Sequence, residues 1–117
     1  MVWLDRAFVA LLALGGVGHF FGSLTLLAAG SEVQVWSLGG VLAVALIVAI
    51  NVLRLCRDGD AALAWIGGIG AFLWVFVAIG FGRSLHDFLD FRVLWHGLAA
   101  AGVAAFSLRA AWAGRAL

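Results

Sequence analysis

The sequence contains no proline, no lysine and no tyrosine, and it has a single cysteine, Cys56. One cysteine excludes an intramolecular disulfide framework, and the lack of proline removes the commonest cause of a kinked helix. Charge is scarce as well, since 11% of the residues are charged against about 25% in an average soluble domain. A short chain that is 66% hydrophobic cannot bury so much apolar surface in a water-facing fold. Its solvent is therefore predicted to be largely lipid.

The charged residues are separated by long uncharged runs. These runs cover residues 7–31, 33–53, 61–82 and 93–108. A membrane-spanning helix needs about 20 apolar residues, and the runs are apolar all round, unlike the alternating strands of a β-barrel. The sequence therefore predicts an all-α integral membrane four-helix bundle that forms a single transmembrane domain, residues 1–117. The helices are predicted near residues 7–30, 35–55, 62–82 and 92–113.

Arginine carries all of the positive side-chain charge outside histidine, and its distribution predicts the orientation. The N-terminus, the 54–60 connector and the C-terminal end carry five arginines, whereas the opposite side carries two. The positive-inside rule places the arginine-rich side in the cytoplasm. We therefore expect a multi-pass protein of the inner (cytoplasmic) membrane, with both termini cytoplasmic. Enrichment in alanine, glycine and arginine indicates a bacterial source with a GC-rich genome.

The connector RSLHDFLDFR, residues 83–92, has an amphipathic pattern. One helical face carries the apolar side chains Leu85, Phe88 and Leu89. The pattern predicts a short interfacial helix between helices 3 and 4, with an early start of helix 4 as the alternative. His86 and Asp90 have the i, i+4 spacing of helical metal ligands. Because a closed metal site needs about four ligands, a solvated polar face is the simpler interpretation.

The stretch GGVGHFFGS, residues 15–23, places one histidine in a glycine-rich helix. The face of His19 carries small residues three and four positions away: Gly15, Gly16, Gly22 and Ser23. Small residues let a neighbouring helix come close, and Gly18 and Gly22 add the small-xxx-small spacing of tight helix pairs. We therefore predict that His19 faces protein or a bound ligand, with the Ser23 hydroxyl beside it.

Trp74 repeats this arrangement on helix 3. Its face carries the small residues Gly67, Gly70, Ala71 and Ala78, of which the first three are predicted helix-packing positions like the glycines around His19. Helix geometry places Trp74 and His19 within about 4 Å in depth, and we expect a hydrogen bond between them. His96 should lie several ångströms nearer the outer boundary. Asn51 is expected to bond a neighbouring helix, and Arg54 to reach the lipid headgroups.

These positions favour a binding or accessory function. A net charge of +1 without a basic cluster indicates no nucleic-acid partner. The candidate ligand-binding or cofactor-binding residues are His19, Trp74, His96 and Ser23. The leading hypothesis is a ligand-binding or accessory subunit that self-associates or joins a larger membrane complex, with a quinone or lipid as the candidate ligand.

Two alternatives remain open. His19 and His96 could hold a b-type haem, or serve quinone-linked electron transfer, if they lay at compatible depths. His19 could instead carry protons in a small transporter or channel formed by several copies. An enzyme is not favoured, because no Ser–His, Cys–His or paired-carboxylate arrangement is visible at useful spacing.

Overall fold

The computed structural model describes residues 1–115 and contains four helices within that range. They are α1 (Val2–Thr25), α2 (Glu32–Cys56), α3 (Ala61–Leu85) and α4 (Phe91–Arg115). Each contains a stretch long and apolar enough to cross a membrane. The predicted all-helical architecture is confirmed. Ala116 and Leu117, which end the predicted domain, lie outside the described residues.

Consecutive helices pack antiparallel, and α4 closes the bundle by packing against α1. Asp5 in the first turn of α1, for example, pairs with Arg54 in the last turn of α2. The described chain measures 50 Å along the bundle and 26 by 20 Å across it. We call the end that carries connectors 26–31 and 86–90 the distal end. The end that carries both termini and connector 57–60 is the terminal end.

Side-chain caps determine where two of the helices begin. The Ser31 hydroxyl accepts a hydrogen bond from the Gln34 backbone N–H at the start of α2. The Asp60 carboxylate accepts one from the Leu63 N–H at the start of α3. Both satisfy a backbone donor that the first turn of a helix leaves without an intrahelical partner.

Helix α1 begins and ends five residues earlier than the predicted 7–30. It can begin early because Asp5 is neutralised by an ion pair within the bundle. It ends early because the connector is held in a turn, in which the Gln34 side chain accepts from the Gly30 N–H and donates to the Ser23 carbonyl. The shift moves every α1 side chain toward the distal end of the bundle.

The interfacial helix predicted between helices 3 and 4 is absent from the described structure. The apolar residue Leu85 belongs to the last turn of α3, and residues 86–90 form a turn. His86 adopts a left-handed conformation (φ 54°), and the N–H of Asp87 reaches back to the Gly82 carbonyl. Five residues of chain are thus used to end one helix and begin the next, which leaves none for a separate helix.

The middle of the bundle is closely packed. Fully buried side chains from all four helices meet there: Leu12, Val44, Ala71, Ala100 and Val103. Glycines make the close approach possible, since a Cβ on Gly16 would come within 2.9 Å of the Val44 side chain. A Cβ on Gly102 would overlap the ring of Phe8. The distal half is not filled in this way.

The predicted packing positions divide into two groups. Five of them lie against a neighbouring helix: Gly15, Gly16, Gly67, Gly70 and Ala71. Gly18 and Gly22 do not, because no other helix lies within 4 Å of a Cβ built on either residue. These two glycines line an open space in the distal half instead.

Candidate functional site

The distal half of the bundle contains a cavity of about 940 Å³ that is lined by all four helices. Its walls are mainly apolar and include Leu14, Val33, Val77, Ala78 and Phe81. Glu32 and Arg92 also line it, each in the first turn of its helix at the distal end. The volume is typical of small-molecule sites, which span about 300–1,000 Å³.

His19 lies on the cavity wall and bonds across to α2. Its Nε2 is 3.1 Å from the Ser37 backbone oxygen and 3.2 Å from the Ser37 hydroxyl. A carbonyl oxygen can only accept a hydrogen bond, so Nε2 must carry the proton. Neutral His19 therefore has an unprotonated Nδ1. That atom has no hydrogen-bond partner among the described residues, and protein does not enclose it.

Ser23 completes this network and assigns its remaining protons. Its hydroxyl donates to the His19 backbone carbonyl at 2.7 Å and lies 2.6 Å from the Ser37 hydroxyl. Because the Ser23 proton is already used, Ser37 donates to Ser23. The side chains of His19 and Ser23, which were predicted to be neighbours, are thus joined through the hydroxyl of Ser37. The sequence interpretation missed Ser37.

Trp74 donates its indole N–H to Nδ1 of His96 at 3.2 Å, and not to His19. The predicted Trp74–His19 hydrogen bond is therefore wrong, although both side chains lie next to Gly40. Indole can only donate, so Nδ1 of His96 is unprotonated and the neutral ring carries its proton on Nε2. The edge of the ring that bears Cε1 packs against Gly15 of α1.

The two intrahelical histidines lie in one layer. Their ring centroids are 6.0 Å apart with the planes at 79°. The predicted depth difference is wrong, because α1 ends at Thr25 and places His19 less than two turns from the distal end, as His96 is in α4. The structure thus brings together His19, His96 and Trp74.

This contact argues against haem ligation by the pair. A haem with two axial histidines holds them on opposite faces of one macrocycle. His19 and His96 instead lie beside each other with their planes at 79°, and Nδ1 of His96 is taken by the Trp74 N–H. Nε2 of His19 is also directed at Ser37. The geometry therefore favours a small organic ligand beside the rings over a metal between them.

Toward the terminal end, the cavity is closed. Beneath the histidine layer lie the buried side chains of Leu12, Val44, Ala71 and Val103. They separate the cavity from a second pocket of about 340 Å³ near Asp5 and Arg6. A proton or solute would have to cross this packed layer to pass along the bundle, so the observed arrangement favours binding over passage.

A buried polar network stands near the terminal end. The guanidinium of Arg54 makes two bonds to the Asp5 carboxylate, of 2.8 and 2.5 Å, and its Nε donates to Asn51 at 3.1 Å. Asn51 bonds the Gly67 carbonyl of α3 at 3.3 Å and accepts from Ser107 of α4. The prediction that Asn51 bonds a neighbouring helix is confirmed.

The prediction that Arg54 reaches headgroups is wrong, because its side chain is 6% exposed. Asp5 was missed since it was placed outside the first helix. One available signal was position: Asp5 and Arg54 occupy the first and last turns of consecutive antiparallel helices, so they lie at similar depth. Ser37 had a similar signal, because it shares a face of α2 with the small residue Gly40.

The weak metal candidates do not form a site. Among the described residues there is no group of three or more His, Cys, Asp or Glu side chains that could hold a metal ion. Asp90 instead directly precedes α4, where it accepts hydrogen bonds from the side chain and backbone of Arg92 at 2.9 Å. These bonds lower the pKa of Asp90 to about 2. His86 serves as the left-handed residue that ends α3.

Fold and cavity together define a class of protein. The described residues form four helices that are long and apolar enough to span a membrane, and one half of the bundle holds an apolar cavity with polar groups at its floor. Comparison with protein-family models, curated proteins and solved structures finds no match to this chain. Its function therefore has to be inferred from the geometry of the cavity.

Proposed function

We infer that this protein is a ligand-binding membrane protein whose distal cavity holds an amphipathic molecule. The observation that carries this proposal is a cavity of about 940 Å³ with apolar walls and a floor formed by His19, Ser37 and the Trp74–His96 pair. Apolar walls with a few polar groups that fix orientation are typical of small-molecule sites. The apolar part of the ligand lies against the walls, and its polar head lies at the floor.

We also propose the membrane in which the protein lies and its orientation there. The chain spans the inner membrane of a bacterium four times, with both termini and connector 57–60 in the cytoplasm. Five arginines lie on that side, whereas the other side carries two, Arg83 and Arg92. This asymmetry supports the orientation through the positive-inside rule. The cavity then lies in the outer half of the bilayer, where the protein self-associates or presents its ligand to a larger membrane complex.

Gly18 allows a test that fills the cavity without disturbing the packed core. It lines the cavity, and no atom lies within 4 Å of a Cβ built on it, so the side chain of Gly18→Leu extends into empty space. Gly39→Leu is the matched control, because Gly39 is equally open but does not line the cavity. Both changes replace a helical glycine by the same side chain.

The experiment is purification from native membranes in mild detergent, followed by solvent extraction and mass spectrometry. We expect a discrete amphipathic molecule to accompany the wild-type chain and Gly39→Leu. The amount per protein should fall about five- to a hundredfold in Gly18→Leu, since inserting methylenes into an occupied site costs about 1–3 kcal/mol. Equal recovery from all three proteins, or recovery of bulk lipid alone, would contradict the proposal.

A further inference from the structure

The floor of the cavity has one open hydrogen-bonding position, and it is an acceptor. The Ser37 hydroxyl is used by Ser23, and the Trp74 N–H is used by Nδ1 of His96. The other nitrogen of His96, which carries the proton, is used by the backbone of Gly15. Nε2–H of His19 is used by Ser37. Nδ1 of neutral His19 remains, and it can only accept. A molecule that satisfies this position must present a hydroxyl or N–H donor.

The head of that molecule carries no charge. His19, Ser37, Gly40, Trp74 and His96 form the floor, and among them there is no arginine or carboxylate. A phosphate or carboxylate buried there would lack a counter-charge, which is costly in an apolar site. The charged lining residues Glu32 and Arg92 lie at the distal end of the cavity. Phospholipid and fatty-acid heads therefore do not fit the floor.

The shape of the site favours a planar ring. Trp74, Trp36 and Trp95 line the cavity with flat aromatic surfaces, which prefer stacked or edge-on aromatic partners. Gly18 and Gly22 line the same cavity without side chains and so leave open space for a ring. An aromatic alcohol matches both the acceptor and the ring surfaces.

We propose that the cavity binds the reduced, hydroquinone form of a membrane quinone. This inference rests on the proposed ligand-binding function and names the chemical class of its ligand. A phenolic hydroxyl of the quinol donates to Nδ1 of His19, and the apolar tail extends past Val77 and Phe81. The oxidised quinone carries carbonyl oxygens that only accept, so it would place an acceptor against an acceptor. The site therefore distinguishes the two redox states of one molecule.

Nitrogen NMR of the imidazole rings tests this directly. The purified chain, labelled with ¹⁵N-histidine and assigned from single His→Gln variants, is titrated with decylubiquinol or with decylubiquinone at a pH where the spectrum shows neutral His19. We expect decylubiquinol to shift the unprotonated Nδ1 signal of His19, as a new hydrogen bond does, and decylubiquinone to leave it unchanged. Farnesol, which has a hydroxyl and an apolar tail without an aromatic ring, should shift it less at equal concentration.

Binding measurements supply the second readout. One hydrogen bond that is made or left unmade predicts about a tenfold preference for decylubiquinol over decylubiquinone. His19→Phe keeps a ring of similar size without the acceptor and should abolish the preference. His86→Gln, in the turn outside the cavity, should keep it.

The outcomes separate the two proposals. Equal shifts with both quinone forms, no shift with either, or a farnesol effect as large as that of the quinol would overturn the quinol assignment. If a different amphipathic molecule is still recovered from the wild-type chain and lost in Gly18→Leu, the ligand-binding function stands and only the class is wrong. If nothing is recovered and neither probe binds, both proposals fall.

Discussion

Single residues determine how closely these helices approach one another. Glycine occupies the points of nearest contact, and at Gly102 the ring of Phe8 takes the space of a Cβ. Elsewhere glycine is open: Gly18, Gly39 and Gly80 have no atom within 4 Å of a Cβ. The effect of replacing a glycine therefore depends on what it faces, and the sequence alone does not reveal that.

Gly102→Ala should destabilise the protein because its methyl group displaces Phe8 from the α1–α4 contact. Overpacking of this kind costs about 1–3 kcal/mol. Gly39→Ala is the control and should be neutral or stabilising, since alanine is favoured over glycine in a helix by about 1 kcal/mol. Thermal unfolding in detergent measures both. Equal midpoints for the two variants would mean that Phe8 does not occupy this position.

The buried Asp5–Arg54 ion pair is predicted to contribute strongly to stability. Asp5→Asn leaves the Arg54 guanidinium uncompensated among buried groups, which costs about 3–5 kcal/mol. Arg92→Gln breaks the pair at the distal end, where Arg92 is 57% exposed, and should change the unfolding midpoint little. Replacing both members of the buried pair by apolar residues should recover most of the lost stability. A single variant as stable as the wild type would place Asp5 in solvent or headgroups.

At the scale of the helices, four spans follow from composition, whereas their ends do not. Apolar runs between charges identify the spans because lipid admits few charged side chains. The run after Arg6 does not reveal that α1 starts earlier, because that depends on Arg54 reaching Asp5 from another helix. The interfacial helix was wrongly predicted for a related reason. The amphipathic spacing of residues 83–90 does not reveal that His86 is needed to end α3 and Asp90 to cap the start of α4. Too few residues then remain for a separate helix.

The left-handed residue that ends α3 allows a test of where this helix stops. His86 holds a left-handed conformation that glycine adopts without steric cost. His86→Gly should therefore raise the unfolding free energy by about 1 kcal/mol. Ser84→Gly, two residues earlier and within the helix, should lower it by about 0.5–1 kcal/mol. If both glycines destabilise alike, α3 continues through His86 and the turn is wrong.

The whole molecule is asymmetric along its axis. The terminal half is closed by a buried polar network and a packed layer, and the distal half holds an open cavity with two histidines at its floor. From sequence, His19 could be predicted to face the interior, because small residues share its face. Its bonding to Ser37 and its contact with His96 could not be predicted, since both depend on the five-residue shift of α1 and on which helices are neighbours.

The proposed fourfold crossing of the membrane predicts opposite accessibility of the two ends. Cys56 is exposed at the terminal end, and Leu89, 79% exposed, lies in the distal turn. In intact cells, a membrane-impermeant thiol reagent should label Leu89→Cys in a Cys56→Ser background. It should label Cys56 in the wild-type chain only after the inner membrane is permeabilised. Labelling of both sites in intact cells, or of neither site until the inner membrane is permeabilised, would contradict four crossings.

We expect a molecule other than bulk lipid to occupy the space beside His19. Electron density from crystals of the protein purified in native lipid and grown in a lipidic mesophase tests it most directly. We predict continuous density that begins within hydrogen-bonding distance of Nδ1 of His19 and runs along Gly18 and Gly22 toward the distal end. Closure of the helices over that space, with the glycine face of α1 packed against α2 and nothing between them, would contradict the account.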